Sequence, residues 1–340
     1  MAIRIAACQV QEIDDEFAAW ATQLGVRSIN ITTARLPAPK GYWETDDLAD
    51  LRSRCEQRGL TLEVIENLPY GTYEHIIAGG PERDRQIDNY RRTIRNMAAA
   101  GIPILGFHFM PNGVWRTSMS APARAGATAT AYDHSLAHLG NKVAYPADVI
   151  QPSELVQHGL TADTLWENYA YFLDAVLPVA DEVGLKLAQH PDDPPVDEIN
   201  GVARIFTSPD AYKRAYDLSR GSEAWGINLC LGTFSEMAGP ESGEEMIRFF
   251  GPLDRIRYVH FRDVQGTVPN FVECFLGEGN FDPVKMIRLL EEVGFNSWLQ
   301  DDHTPFMSGD TFYGHRSRAY EIGKMQGILS ALNILDGAGR

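Results

Sequence analysis

Lys186-Leu187-Ala188-Gln189-His190, a helix-like stretch over 208–219, and Trp225-Gly226-Ile227-Asn228-Leu229-Cys230 form the segment whose reading decides the fold. Two short β-rich runs flank a stretch that opens on Ser208-Pro209-Asp210, an N-cap residue followed by Pro at the first helical position. A strand, a helix and a second strand in that order make a parallel pair. Working outward, the same unit recurs in both directions. Strands are expected at 3–9, 26–32, 60–66, 103–109, 186–190, 225–230, 256–262 and 297–302. Helices are expected at 14–24, 45–58, 82–100, 162–183, 208–219, 243–251, 282–293 and 316–335. Asp282-Pro283 repeats the N-cap device, and Gly101, Gly184 and Gly294 each stand where a helix ends before the next strand.

Eight strands and eight helices in strict alternation predict an α/β fold, a (β/α)8 TIM barrel forming one domain over 1–340. The competing arrangement is a doubly wound open sheet, and no GxGxxG follows the first run to support it. One connection breaks the rhythm. Residues 110–161 hold no strand–helix slot but do hold a small-residue tract at 118–131, then Pro146 and Pro152. The segment leaves strand four on the face where barrels carry chemistry, so it reads as an extended loop or lid, or as a contact in a homo-oligomer.

The 340 residues are 44% hydrophobic and 22% charged, enough to bury a core without disulfides. A net charge of −16 lacks the basic stripe a nucleic-acid surface needs, so no nucleic-acid partner is expected. An anionic substrate would require the few cations to gather in the pocket. Cys8, Cys55, Cys230 and Cys274 show no framework spacing, and no signal peptide is visible at the start. No apolar run approaches the about 18–20 residues that span a bilayer. A cytoplasmic protein with free thiols and no membrane partner is the expectation.

Barrel chemistry sits at the C-terminal ends of strands. Strand five ends in Gln189-His190-Pro191, strand six in Asn228-Leu229-Cys230, strand seven in Val259-His260-Phe261 and strand eight in Asp301-Asp302-His303. Each residue alone has a bland explanation, since a buried Cys is usually a small hydrophobe. Four metal-ligating types at equivalent positions on consecutive strands are hard to explain that way. Imidazole and thiolate together point to a divalent transition metal and away from Mg²⁺ or Ca²⁺, without choosing among Zn²⁺, Mn²⁺, Fe²⁺ and Co²⁺. Asp192 and Asp193 follow a ligand directly, though Pro and Asp also favour plain turns. Arg262 lies two residues past His260, on the same face by strand alternation. With Arg116 and Arg316 it would supply the positive field for an anionic substrate. Glu66 ends strand three, as a ligand-orienting carboxylate or a rim charge.

At these residues the sequence resembles the mannonate dehydratase family of the xylose-isomerase-like superfamily. The resemblance runs over most of 60–335, through Leu62-Glu63-Val64-Ile65-Glu66, the helix at 79–101, Phe109-Met110-Pro111, Trp115-Arg116-Thr117 and Leu165-Trp166-Glu167-Asn168. His190-Pro191-Asp192-Asp193-Pro194-Pro195 is its most specific stretch, and it resumes at 226–230, Val259-His260-Phe261-Arg262 and Asp302-His303. It implies dehydration of D-mannonate or a related aldonate to a 2-keto-3-deoxy sugar acid, usually with Mn²⁺, as a step of hexuronate catabolism. It implies metal ligands His190, Cys230, His260 and Asp302, and catalytic acid/base residues at His303 and Tyr313. Arg116, Arg262, His108, Asp192 and Glu66 would face the substrate.

The sequence also departs from the family. Arg4-Ile5-Ala6-Ala7-Cys8 replaces the family's first strand, Tyr70-Gly71-Thr72-Tyr73-Glu74 replaces a Val-His-Glu, and His108 stands for an Asn. Ser118 stands where the family has an Asp after Arg-Thr, and Leu276 stands for a His three residues past Glu273. A second reading is a metal-dependent sugar isomerase or epimerase, for which Gly277-Glu278-Gly279-Asn280-Phe281-Asp282 is reminiscent. A third is a non-catalytic barrel that keeps its metal as a structural or sugar-sensing module.

Overall fold

The computed structural model describes residues 3–143, 155 and 159–332. Eight parallel strands close into a barrel: Arg4–Val10, Ser28–Thr32, Thr61–Glu66, Ile104–Phe107, Lys186–Gln189, Trp225–Cys230, Ile256–His260 and Trp298–Gln300. Each pairs with its neighbour in this order, and the first pairs with the eighth, Arg4 opposite Trp298 and Ala6 opposite Gln300. Strands covered on both faces read as continuous apolar runs rather than alternating ones. Trp225–Cys230 and Ile256–His260 are accordingly buried at every residue.

The helices form where their ends are chemically marked. Asp14 accepts from Phe17 N at 2.7 Å, Thr161 from Thr164 N at 3.2 Å, Ser208 from Ala211 N at 3.3 Å and Asp282 from Val284 N at 2.8 Å. Helix Ala162–Val183 ends on Gly184 in the left-handed region (φ 74°), a conformation that favours glycine. Its buried face meets helix Arg83–Ala99, Tyr90 and Phe172 packing edge to face at 5.0 Å between ring centres. Among the described residues no helix is long and apolar enough to cross a membrane.

Three expectations need correction. The helix expected at 243–251 begins earlier, as Pro240–Phe250, and a separate helix, Leu231–Ala238, precedes it. Leu231 through Glu236 are all buried, so this helix carries no amphipathic period that a sequence scan could find. The last helix starts at His315 rather than 316 and is described to Ala331.

The segment 110–161 is not merely a loop. It carries a hairpin, Ser118–Pro122 with Thr128–Asp133, which extends into a four-stranded antiparallel sheet with Asn270–Cys274 and Asp263–Thr267. Its small residues give little β signal, and its partner strand lies far along the chain. Pro146, Pro152 and residues 333–335 lie outside the described residues. The sheet joins the connection after the fourth strand to the one after the seventh. It therefore stands over the rim that carries the candidate site.

Candidate active site at the barrel rim

Cys230 and His260 are the last residues of their strands and pair directly across the register. His190 is the residue after Gln189 and Asp302 the second after Gln300, so four consecutive strands deliver them to one end. Ligand atoms of His190, Cys230 and His260 all lie within 4.8 Å of one another, and all three residues are buried. Asp302 Oδ2 stands 3.4 Å from His260 Nδ1 and 4.0 Å from Cys230 Sγ.

The donor atoms suit a divalent transition metal. His190 Nδ1 lies 2.7 Å from the Pro191 carbonyl, which places the ring proton there and leaves the Nε2 lone pair for a ligand role. His260 has its Nε2 3.2 Å from Glu66 Oε2, while its buried Nδ1 makes no hydrogen bond. A histidine held by a carboxylate through one nitrogen offers the other to a metal. Burial opposes ionisation of the Cys230 thiol, but the Arg262 guanidinium and the rings of His190 and His260 outweigh it and bring the pKa down to about 5. Cys230 is thus held as thiolate, the form that binds metals. Glu66 receives Asn30 Nδ2 at 2.8 Å and Asn228 Nδ2 at 3.3 Å. Burial works against its charge too, yet the adjacent His260 keeps its pKa below the usual value.

Behind this cluster lies a buried ionic network. Arg116 forks onto Asp193 with contacts of 2.6 and 2.9 Å and reaches Glu273 Oε1 at 2.7 Å. Arg262 donates to Asp302, Glu236 and Asp193 at 2.9, 2.8 and 2.8 Å. Burial raises the carboxyl of Asp193, but Arg116 and Arg262 overcome it and hold the pKa at about 2. Glu236 goes the other way. Burial and the nearby Asp193 charge lift it to about 8, more than Arg262 can offset. Charges this deep are tolerable only when paired, which explains why so many share one wall.

The cleft above the cluster measures about 650 Å³, its open mouth included. Glu66, His108, His190, His260, Asp302 and His303 line it, together with Gln9, Thr33, Asn67, Tyr73 and Asp193. Gln9 (φ 62°), Thr33 (φ 46°), Asn67 (φ 65°) and Asp302 (φ 52°) all adopt left-handed backbone. Such conformations cost about 1–3 kcal/mol each and collect at functional sites. The register of the first strand against the second shifts between Ala7 and Val10, and Gln9 lies in that irregularity. There its Nε2 donates to Asp302 Oδ1 at 2.8 Å. His108 is kept neutral, its pKa lowered to about 3 by burial and by the charge of His190. It accepts from Met110 N through Nδ1 and meets Tyr73 Oη through Nε2 at 3.0 Å.

Five residues expected at the substrate lie elsewhere. Arg116 and Arg262 sit inside the wall, spent on carboxylates, and neither lines the cleft. Asp192 accepts from Ile205 N and Phe206 N at 3.0 and 2.7 Å, so it stitches a loop. Tyr313 donates its hydroxyl to the Cys8 carbonyl at 2.8 Å and packs edge-on against Phe17 and Trp20, outside the cleft lining. Arg316, on the surface, donates to the Ser308 carbonyl. The sequence reading missed Gln9, Tyr73 and Glu236 as parts of the site. Gln9 had polarity near a strand end as its trace, whereas Tyr73, at the start of the helix Glu74–Ala78, and Glu236, inside the helix Leu231–Ala238, had none.

A closed eight-stranded parallel barrel with a buried His–Cys–His cluster at its C-terminal rim defines a (β/α)8 TIM barrel whose rim side chains could hold a metal ion. The chain belongs to the D-mannonate dehydratase (UxuA) family, whose model matches residues 18–336. It is 34% identical over 313 residues to mannonate dehydratase 2 of Halalkalibacterium halodurans, covering 86% of this chain and 89% of that protein. It is 33% identical over 321 residues to the mannonate dehydratase of Streptococcus agalactiae serotype III, covering 89% and 91%. The crystal structure of mannonate dehydratase from Streptococcus suis serotype 2 matches with a TM-score of 0.85 at 28% identity, over 100% of this chain and 99% of that one. A D-psicose 3-epimerase from Clostridium cellulolyticum H10 matches at TM-score 0.60 and 13% identity, a likeness of fold alone. The curated relatives are hydro-lyases, and their family implies a divalent metal.

Proposed function

We propose that this chain is a metal-dependent mannonate dehydratase, removing water from D-mannonate or a closely related aldonate to yield a 2-keto-3-deoxy sugar acid. The observation that carries the reading is the buried His190–Cys230–His260 cluster beneath a cleft edged by His303, in a chain of that family. His190 Nε2, the Cys230 thiolate, His260 Nδ1 and Asp302 would hold the metal, with Mn²⁺ the first choice and Fe²⁺, Co²⁺ or Zn²⁺ as alternatives. When bound, the metal supplies the positive charge that meets the substrate carboxylate and steadies the negative charge developing beside it.

The chain's own residues do the rest. No Lys or Arg lines the cleft among the described residues, while Glu66, Asp193 and Asp302 do. Arg116 and Arg262 therefore serve by balancing that acidic wall rather than by touching the sugar acid. Dehydration takes a proton from C2 and returns one to the hydroxyl leaving C3, and the resulting enol becomes the 2-keto acid. His303, 30% exposed at the cleft edge, would move a proton there. Tyr73 and His108 form a neutral wall that orients hydroxyls without adding charge.

Incubating the Mn²⁺-loaded protein with a panel of aldonates and ketoses tests this. A 2-keto-3-deoxy acid one water lighter than its substrate is the expected product. A product of unchanged mass would instead make the protein an isomerase or epimerase, and no turnover of any member with metal bound would remove the catalytic reading.

A further inference from the structure

Glu273 reaches the rim from outside the barrel, on the strand Asn270–Cys274 of the antiparallel sheet. Its Oε1 lies 2.7 Å from Arg116 Nη2, 3.6 Å from Arg262 Nη1 and 2.8 Å from His303 Nδ1, and the residue is 2% exposed. We propose that Glu273 is a positioning residue for the reaction, keeping a proton on His303 Nδ1 so that Nε2 is the atom that exchanges protons with the substrate. The inference rests on the reading of His303 as the proton-moving group.

The argument is one of donors and acceptors. The buried Glu273 carboxylate is paired with Arg116 Nη2 at 2.7 Å and Arg262 Nη1 at 3.6 Å, and opposite charges this close favour its ionised form. An ionised carboxylate only accepts hydrogen bonds, so His303 Nδ1 must donate. This holds for the neutral ring and for the charged one alike. Whatever proton His303 takes or gives is therefore the Nε2 proton, and the Nδ1 proton stays on the ring. The bond also fixes the plane of the ring, which matters because His303 is the most exposed member of the network.

A merely structural role has a different signature. Arg116 already has a two-pronged partner in Asp193, and Arg262 contacts three other carboxylates. If Glu273 did no more than add charge to that network, removing it would loosen the fold but leave the His303 tautomer unaffected.

The test joins NMR to kinetics. In ¹⁵N-histidine-labelled protein loaded with diamagnetic Zn²⁺, the His303 signals, assigned by their absence in His303→Ala, should show a proton on Nδ1. Finding that proton on Nε2 alone overturns the proposal without any variant of Glu273 having to fold. In Mn²⁺-loaded protein, Glu273→Gln should lower kcat on mannonate by about 10²- to 10⁴-fold, the range of a positioned acid or base. KM and metal content should stay within about twofold of the parent, and Glu273→Asp should recover part of the loss. In a His303→Ala background, Glu273→Gln should cost almost nothing more. An undiminished, additive loss in that background sinks the positioning role while leaving the dehydratase reading intact. If His303→Ala alone keeps the parent kcat, the failure lies in the reading of His303 on which the proposal rests.

Discussion

Arg262 Nε donates to Asp302 Oδ2 across 2.9 Å while its two terminal nitrogens reach Glu236 and Asp193. One guanidinium thus ties together groups that follow the fifth, sixth and eighth strands. Asp302 is held on its other oxygen by Gln9, within the first strand's irregularity. This charge pattern adds cross-links between strand ends to the strand pairing that closes the barrel.

Arg262→Met should therefore strand several buried acids and destabilise the fold by about 3–5 kcal/mol, the cost of leaving buried charges unpaired. Arg262→Lys should recover only part of it, because an ammonium cannot reproduce the three-way fork. Urea unfolding followed by circular dichroism measures both. A midpoint for Arg262→Met equal to the parent's would mean that the network carries no net stabilisation.

The His190→Ala and Cys230→Ala proteins should each lose most of their bound metal, measured by elemental analysis after desalting. His303→Ala should keep it, since its Nδ1 is engaged with Glu273 rather than with the cluster. Full metal retention in both ligand variants would place the site elsewhere.

Tyr313→Phe removes one hydroxyl bonded to the Cys8 carbonyl and leaves the ring packing against Phe17 and Trp20. The expected result is a stability loss of about 1 kcal/mol, typical of one hydrogen bond, with kcat within a few fold of the parent. A kcat drop of a hundredfold or more would show that the loop before helix His315–Ala331 rearranges to bring this hydroxyl to the substrate.

Glu321 offers a pH-dependent test. Burial lifts its carboxyl to about 8, against the weaker pull of the Leu276 N–H and Lys324. The folded chain therefore keeps this proton after the unfolded chain has released its own. Stability should fall as pH rises from the ordinary carboxyl range, near about 4.3, through about 8. Glu321→Gln should flatten that decline and leave the protein more stable than the parent above pH 8. Parallel thermal-denaturation profiles for the two proteins between pH 5 and 9 would count against it.

The eight barrel strands were legible because each is a short, locally marked run, and strand ends are where a barrel places its chemistry. His190, Cys230, His260 and Asp302 could be found that way. The helix Leu231–Ala238 could not, since it is buried without a polar face. The hairpin Ser118–Pro122 with Thr128–Asp133 was also hidden, because its small residues become strands only when Asn270–Cys274 lies beside them. The same distance hid the fate of the arginines. Arg116 and Glu273 are 157 positions apart, and no local pattern links them.

By itself the sequence determined the architecture and brought four side chains of metal-ligating type to one rim. Both follow from interactions among near neighbours, namely helix caps, strand runs and chain reversals. Only the tertiary structure decided which charges were left for a substrate. Burial makes an unpaired ion costly, so Arg116 and Arg262, expected to greet a sugar acid, are consumed by Asp193, Glu236, Glu273 and Asp302. Asp193, Asp302 and the part-exposed His303 keep an edge in the cleft, while the two guanidiniums do not.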